Sequence, residues 1–213
     1  MGPHHTGCDC DLTNSAKSPV PQRKPSLPVT LSCMAYKKAV RTVTARRDTR
    51  AALLHAAVPL FRDRGIEHVS LAEIARAANA YPNQVTYHFH SKEGLFVHAA
   101  CHAILRTAHQ AEQLTRNSAT PGEHARDLVT YLLGPGAPEV MMFAEAMLTA
   151  RRTPELQQLI TDTTTELYNA GEAAMVDTFA RTNWNNHATP GDITRGFWAA
   201  ILGLALEIGR AHV

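Results

Sequence analysis

No part of this chain approaches the run of about 20 apolar residues that a helix needs to span a bilayer; the longest nearly unbroken one, Phe197 to Leu206, is far too short. Nor do residues 1–33 read as a secretory leader. Residues 1–33 hold no apolar segment behind a basic one, so the protein is expected to stay in the cytoplasm, away from membranes. Cysteine is scarce: Cys8, Cys10 and Cys33 lie in a proline-rich N-terminal stretch and Cys101 alone in a helical pattern, which excludes a disulfide framework. Charged residues make up 19% of the sequence and aromatic ones 6%, yet 45% is hydrophobic, enough to bury a core and to exclude disorder throughout. Familiar catalytic patterns are absent too: no Glu-x-x-His pair for a di-iron bundle, no His-Glu-x-x-His zinc motif, no glycine-rich phosphate loop. No short-range Ser, His and Asp arrangement picks out a nucleophile. The expectation is therefore a protein that is not an enzyme, with no cofactor and no resident metal. A helical-bundle enzyme whose site is assembled only by folding stands as the alternative of that class.

What is present begins with an uneven charge. The 213 residues carry a formal net charge of +2, but basic residues dominate the first 50 and acidic ones the remainder. Lys37, Lys38, Arg41, Arg46, Arg47 and Arg50 form a basic run just ahead of the first strong helical pattern. Such runs commonly meet phosphate, or serve as a solvated tail. Before them, Pro3, Pro19, Pro21, Pro25 and Pro28 punctuate a segment with little apolar periodicity, so residues 1–36 are expected to be a mobile arm. Met34 is a candidate translation start.

From residue 37 on, the patterns are helical. The first helix is expected to take Asp48 or Thr49 as its N-cap, to bury Leu53, Leu54, Ala57 and Phe61, and to stop at Gly65. Pro59 removes a backbone donor inside that pattern, which predicts a kink or an early end near residue 58. Ser70-Leu71-Ala72-Glu73 is a capping box, followed by apolar Leu71, Ile74, Ala75 and Ala78. Asn79 tolerates a left-handed turn, and Pro82 suits the first position of a third helix ending near His88. Ser91 caps a fourth, much longer helix. Three short helices with a tight turn between the second and third make a helix-turn-helix pattern. Val85 and Phe89 then face inward, leaving Tyr81, Asn83, Gln84, Thr86, Tyr87 and His88 on an outer face without a carboxylate. Asn and Gln suit base edges, and Tyr, Thr and His suit phosphate oxygens.

Ser70-Leu71-Ala72-Glu73-Ile74-Ala75-Arg76-Ala77-Ala78, together with Val85-Thr86-Tyr87-His88-Phe89-His90-Ser91-Lys92-Glu93-Gly94-Leu95-Phe96, resembles the DNA-binding signature of the TetR family of transcriptional regulators over residues 48–97. The resemblance implies an all-α fold: a three-helix helix-turn-helix domain over 37–96 and a helical ligand-binding and dimerisation domain over 97–213. It also implies that Pro82 to His88 is the recognition helix, that Lys92 holds a phosphate at a helix N-terminus, and that Arg46 and Arg47 reach a minor groove. The candidate DNA-contacting residues are Arg46, Arg47, Ser70, Tyr81, Pro82, Asn83, Gln84, Thr86, Tyr87, His88 and Lys92. Three positions depart from the family's pattern. Asn79 replaces a usual turn glycine, Thr86 a usual tyrosine, and Tyr81 a usual small capping residue.

Beyond residue 97 the likeness is only generic, and the residues carry the reading. Phe96, Ala100, Ala103, Thr107, Ala111 and Leu114 form the inward stripe of the fourth helix. His98, His102 and His109 fall on the other side beside Cys101; His98 and His102 are spaced to share a metal ion, which gives a metal-responsive regulator as an alternative. Further helices are expected at 122–133, 138–151, 154–182 and 190–211. The last is apolar nearly all round, with Ile193, Phe197, Ala200, Ile201, Leu204 and Ile208 on one face and Trp198, Leu202 and Ala205 on another. A second copy of the chain covers such a helix most economically, in a two-fold dimer through this helix and the 154–182 helix, with Gly196, Phe197, Ala200, Gly203 and Leu204 at an interface that presents both recognition helices to a pseudo-palindromic operator in double-stranded DNA. Met141, Met142, Phe143, Met147, Tyr168, Met175, Phe179 and Trp198 suit either an adaptable pocket for an unidentified, largely apolar small-molecule effector or a plain core.

Overall fold

The computed structural model describes residues 48–183 and 187–211, with backbone alone for 208–211; all of them belong to one compact unit within Val43–Val213. The expectations for the arm, Met34 and the basic run as far as Arg47 lie outside the described residues, as does the side chain of Ile208. Among the described residues there are helices and no strands. The first, α1, covers 48–64, and the others are α2 (Leu71–Ala77), α3 (Pro82–Phe89), α4 (Lys92–Thr115), α5 (Pro121–Leu133), α6 (Ala137–Ala150), α7 (Pro154–Thr182) and α8 (Pro190–Ala211).

Local chemistry accounts for most of these ends. Gly65, at φ 72°, closes α1 with its N–H on the Phe61 carbonyl at 2.8 Å. The Ser70 and Glu73 side chains each accept from the other's backbone N–H, completing the capping box of α2. Asn79 takes the left-handed turn at φ 50°. Two expectations for α1 are corrected. Asp48 and Thr49 already lie within the helix rather than capping it, and the helix does not end near residue 58 but runs unbroken through Pro59. Pro59 and His55, whose carbonyl loses its donor, are both exposed, so water can satisfy that carbonyl.

One hydrophobic core runs from Leu53 to Ala205, with α4 at its centre. Leu95, Phe96, Val97, Ala99, Ala100 and Ile104 are completely buried. Phe61 meets Phe96 edge to face at 5.4 Å, which ties α1 to α4 and contributes about 1 kcal/mol beyond the area it buries. The inward stripe of α4 ends differently from the expectation. Leu114 is 70% exposed and Thr115 is buried instead, because steps of four from Thr107 through Ala111 arrive at residue 115. On α8 the inward face is Thr194, Trp198, Ile201 and Ala205; Ile201 therefore belongs with Trp198, not with Ala200 and Leu204.

At Gly94, in the first turn of α4, a Cβ would overlap the carbonyl oxygen of Phe89, the last residue of α3. Alanine favours a helix over glycine by about 1 kcal/mol, whereas an overlap with fixed backbone costs about 1–3 kcal/mol. Gly94→Ala should therefore be net destabilising, lowering the midpoint of urea denaturation; an unchanged or higher midpoint would show that α3 and α4 can separate without cost.

Candidate nucleic-acid interface and cavity

The recognition face is built by α3 and its two flanking turns. Pro82 occupies the first turn, and Val85 and Phe89 are buried, which turns Tyr81, Pro82, Asn83, Thr86 and Tyr87 outward and leaves Gln84 and His88 half-buried. Tyr81 and Tyr87 are 76% and 58% exposed, unusual for rings on a small domain. His90 closes the helix in a left-handed conformation, φ 66°, with its N–H on the Thr86 carbonyl, and Ser91 caps α4 by accepting from the Gly94 N–H at 2.9 Å.

Lys92 lies at that N-terminus, half-buried, with Nζ donating to the Val69 carbonyl at 3.3 Å. One of its three protons is thus spent on holding the side chain across the α1–α2 loop, and two remain for an anion. Ser70 is exposed, but its hydroxyl donates to Glu73 Oε2 at 2.9 Å while accepting from the Glu73 N–H at 3.2 Å. It serves the cap first. The Glu73 carboxylate is itself held at a pKa of about 2 by the Ser70 backbone N–H, the Arg64 guanidinium and the Ser70 hydroxyl, and Arg64 offsets a charge that would otherwise repel a phosphate backbone. Arg46 and Arg47 lie outside the described residues.

A contact that sequence reasoning missed fastens this face to the rest of the molecule. Arg50 on α1 donates to His98 Nδ1 on α4 at 3.1 Å, and its guanidinium stacks 5.1 Å from the Phe89 ring centre. His98 also packs edge-on against Phe89 at 5.4 Å. Burial, then the Arg50 charge, then His90 push the His98 pKa down to about 4, so the ring is neutral and accepts from Arg50. Nδ1 of His98 is thus engaged by a cation, and His102 stands near the cations Arg106 and Arg50. No group of three or more metal-ligating side chains occurs among the described residues. Arg50's membership of the basic run was the signal for its role.

Behind the head, α4, α5, α7 and α8 line a partly open cavity of about 620 Å³. Leu105 and Ala108 of α4, Leu128 of α5, Met175 of α7, and Phe197 and Trp198 of α8 supply much of its apolar wall. Of the residues expected at a ligand site, Met175 and Trp198 border it; Met141, Met142, Met147, Tyr168 and Phe179 are not part of its lining. Met142 is in the core, with Met141, Met147 and Tyr168 packed against it. Sequence reasoning missed His124, whose side chain is 1% exposed at the cavity's edge. Its Nδ1 meets the Thr115 carbonyl at 3.1 Å and its Nε2 meets Glu112 Oε2 at 3.4 Å. The Glu112 carboxylate raises its pKa against the opposing effect of burial.

The far side of α8 is open. Gly196, Ala200, Gly203 and Leu204 are exposed, and a Cβ added at Gly196 or Gly203 would meet nothing within 4 Å; Phe197, half-buried, turns toward the cavity.

Comparison with known proteins agrees with this geometry. Residues 53–99 match the model for bacterial regulatory proteins of the tetR family, and residues 121–211 match the model for a bacterial transcriptional repressor C-terminal domain. A solved structure from Rhodococcus sp. RHA1, assigned as a transcriptional regulator, is 44% identical over 77% of this chain and 85% of that one, with a TM-score of 0.70. A TetR-family regulator from Rhodococcus sp. is 20% identical over 75% and 86%, TM-score 0.56. The fatty acid degradation regulator FadR of Bacillus halodurans is 13% identical over 76% and 85%, also at 0.56. These last two share the fold. No curated protein matches the chain. The chain belongs to the TetR family of bacterial transcriptional regulators.

Proposed function

We propose that the chain acts in the cytoplasm as a homodimeric repressor, by binding and not by catalysis, and that it leaves its operator when a small, largely apolar molecule occupies the cavity between α4, α5, α7 and α8. Residues 37–96 serve as the DNA-binding head and 97–213 as the regulatory and dimerising part. The observation that carries this reading is the reach of α4. It starts against the recognition helix at Phe89 and Gly94, and about 30 Å further on its last turns line the cavity. A ligand that favours one position of α4 biases the position of the head, which is the differential binding that any such switch needs. Arg62 on α1 and Glu139 on α6, 3.5 Å apart, give the head a second link to the regulatory part.

On DNA, the exposed face of α3 enters the major groove, Gln84 and Asn83 meet base edges, and Tyr87 and Lys92 meet phosphate. The dimer forms through the open side of α8, where Gly196, Ala200 and Gly203 permit close approach of a second copy and Leu204 is covered.

Selection from randomised DNA should return an inverted repeat with half-site centres about one helical turn, or a multiple of it, apart. Lys92→Ala should weaken binding alike on all sequences and lower the slope of log affinity against log salt by about one; an unchanged slope would remove Lys92 from the phosphate contacts. Gln84→Ala should leave the salt slope alone and relax the preference at one base pair per half-site, a loss of about 1–3 kcal/mol of discrimination. If the selected sequences are the same as those of the unaltered protein, Gln84 reads no base. Ala200→Glu places a charge on the open face of α8 and should give a folded monomer in sedimentation velocity. A stable dimer in that variant would move the interface elsewhere.

A further inference from the structure

Among the described residues, one buried polar group at the cavity has no hydrogen-bond partner. We propose that Thr194 on α8 anchors the effector, and that the effector is an uncharged, mainly apolar molecule with one hydrogen-bond acceptor, a ketone or ester oxygen for example, which takes the Thr194 hydroxyl proton. This rests on the reading of the cavity as the effector site.

Thr194 borders the cavity and is 3% exposed, and its Oγ1 is buried without a hydrogen-bond partner among the described residues. That sets it apart from other helical threonines of this chain. Thr115, Thr149 and Thr163 each donate to the carbonyl four residues back, at 3.0, 3.0 and 2.8 Å. Gly171 on α7 accounts for the local geometry. A Cβ at that position would lie 2.6 Å from Thr194 Cγ2, so the two helices cross with the threonine methyl lodged against a bare backbone, and both residues line the cavity. A buried hydroxyl with no partner is unfavourable in the empty protein, and an acceptor brought by a ligand relieves it.

The charges of the wall point away from an ion. Glu112 is met by His124 at 3.4 Å and Asp177 by Arg181 at 3.6 Å. Glu166 and Arg116 are exposed to solvent and opposite in sign. These two have no ion pair among the described residues, but solvent screens both, so they replace little of the hydration that a charged ligand would lose on burial. The neutral apolar body instead meets Leu105, Leu128, Met175, Phe197 and Trp198.

The test uses the full chain and three naphthalenes of similar bulk in titration calorimetry: 2-acetylnaphthalene, 2-ethylnaphthalene and the 2-naphthylacetate anion. The ketone should bind about tenfold more tightly than the ethyl compound, and the anion most weakly. In Thr194→Val, which keeps the shape and removes the hydroxyl, the ketone's advantage should vanish while the ethyl compound binds as well as before. The same variant, without ligand, should melt at an equal or higher temperature. A ketone advantage that survives in the variant, an anion that binds most tightly, or a variant that melts lower each overturns the anchor and leaves the cavity reading standing. Failure of all three compounds to bind overturns the cavity reading and the anchor together.

Discussion

The burial of α4 along nearly its whole length is the constraint on which the rest of the structure depends. A helix of 24 residues with Leu95, Phe96, Val97, Ala99 and Ala100 wholly enclosed cannot shift at one end without disturbing its neighbours at the other. Its first turn is pressed against the end of α3 so closely that only a glycine fits at residue 94. Its last turns are held differently: Thr115 is inside, the Thr115 carbonyl faces the buried ring of His124, and the side of the helix next to them borders an unfilled space. A boundary between DNA-binding and regulatory parts at residues 96 and 97 therefore falls inside one rigid element. The two parts share a core, so that a shift in one would alter the packing of the other.

The recognition helix has little strength of its own. Eight residues with Tyr81 at the N-cap and no side-chain cap bond there among the described residues make an element that is marginal in isolation. Its position is set from outside by Val85 and Phe89 in the core, by Arg50 stacked on Phe89 and bonded to His98, and by the left-handed turn at His90. His98 matters here as a neutral acceptor, since protonating it would place a second cation against Arg50.

How much of this was legible in the sequence follows from the range of each interaction. The capping box at Ser70, the turn at Asn79, the proline at residue 82 and the Ser91 cap act over three or four residues, and each appears where the local pattern put it. The consequence of Pro59 depended instead on which side of α1 met solvent, and the inward turn of Thr115 in place of Leu114 depended on what packs beyond α4. The cavity is lined by few of the residues expected to bind a ligand, for a different reason. Methionines and aromatics on α6 were natural candidates because they are adaptable, but adaptable side chains fill the space around them, and Met142 sits in the core. A cavity persists where side chains are too short to reach across. The informative stretch was Ala170, Gly171, Ala173 and Ala174 on α7, opposite Ala108 and Ala111 on α4.

The same argument explains why the cavity and the open face of α8 occur on one helix. An inward side of Thr194, Trp198, Ile201 and Ala205 carries one ring and otherwise small or medium side chains, so α8 closes the core without filling it. Its outward side is smaller still at Gly196, Ala200 and Gly203, and contact through residues of that size places two backbones near one another with few side-chain contacts to adjust between them. A change in the tilt of α8 caused by a molecule on its inner side would therefore reach the outer side at Gly196, Ala200 and Gly203 as a displacement of backbone, since these residues have no long side chain to absorb it. In a two-fold assembly both copies of α8 would shift symmetrically, and the distance between the two heads would change with them.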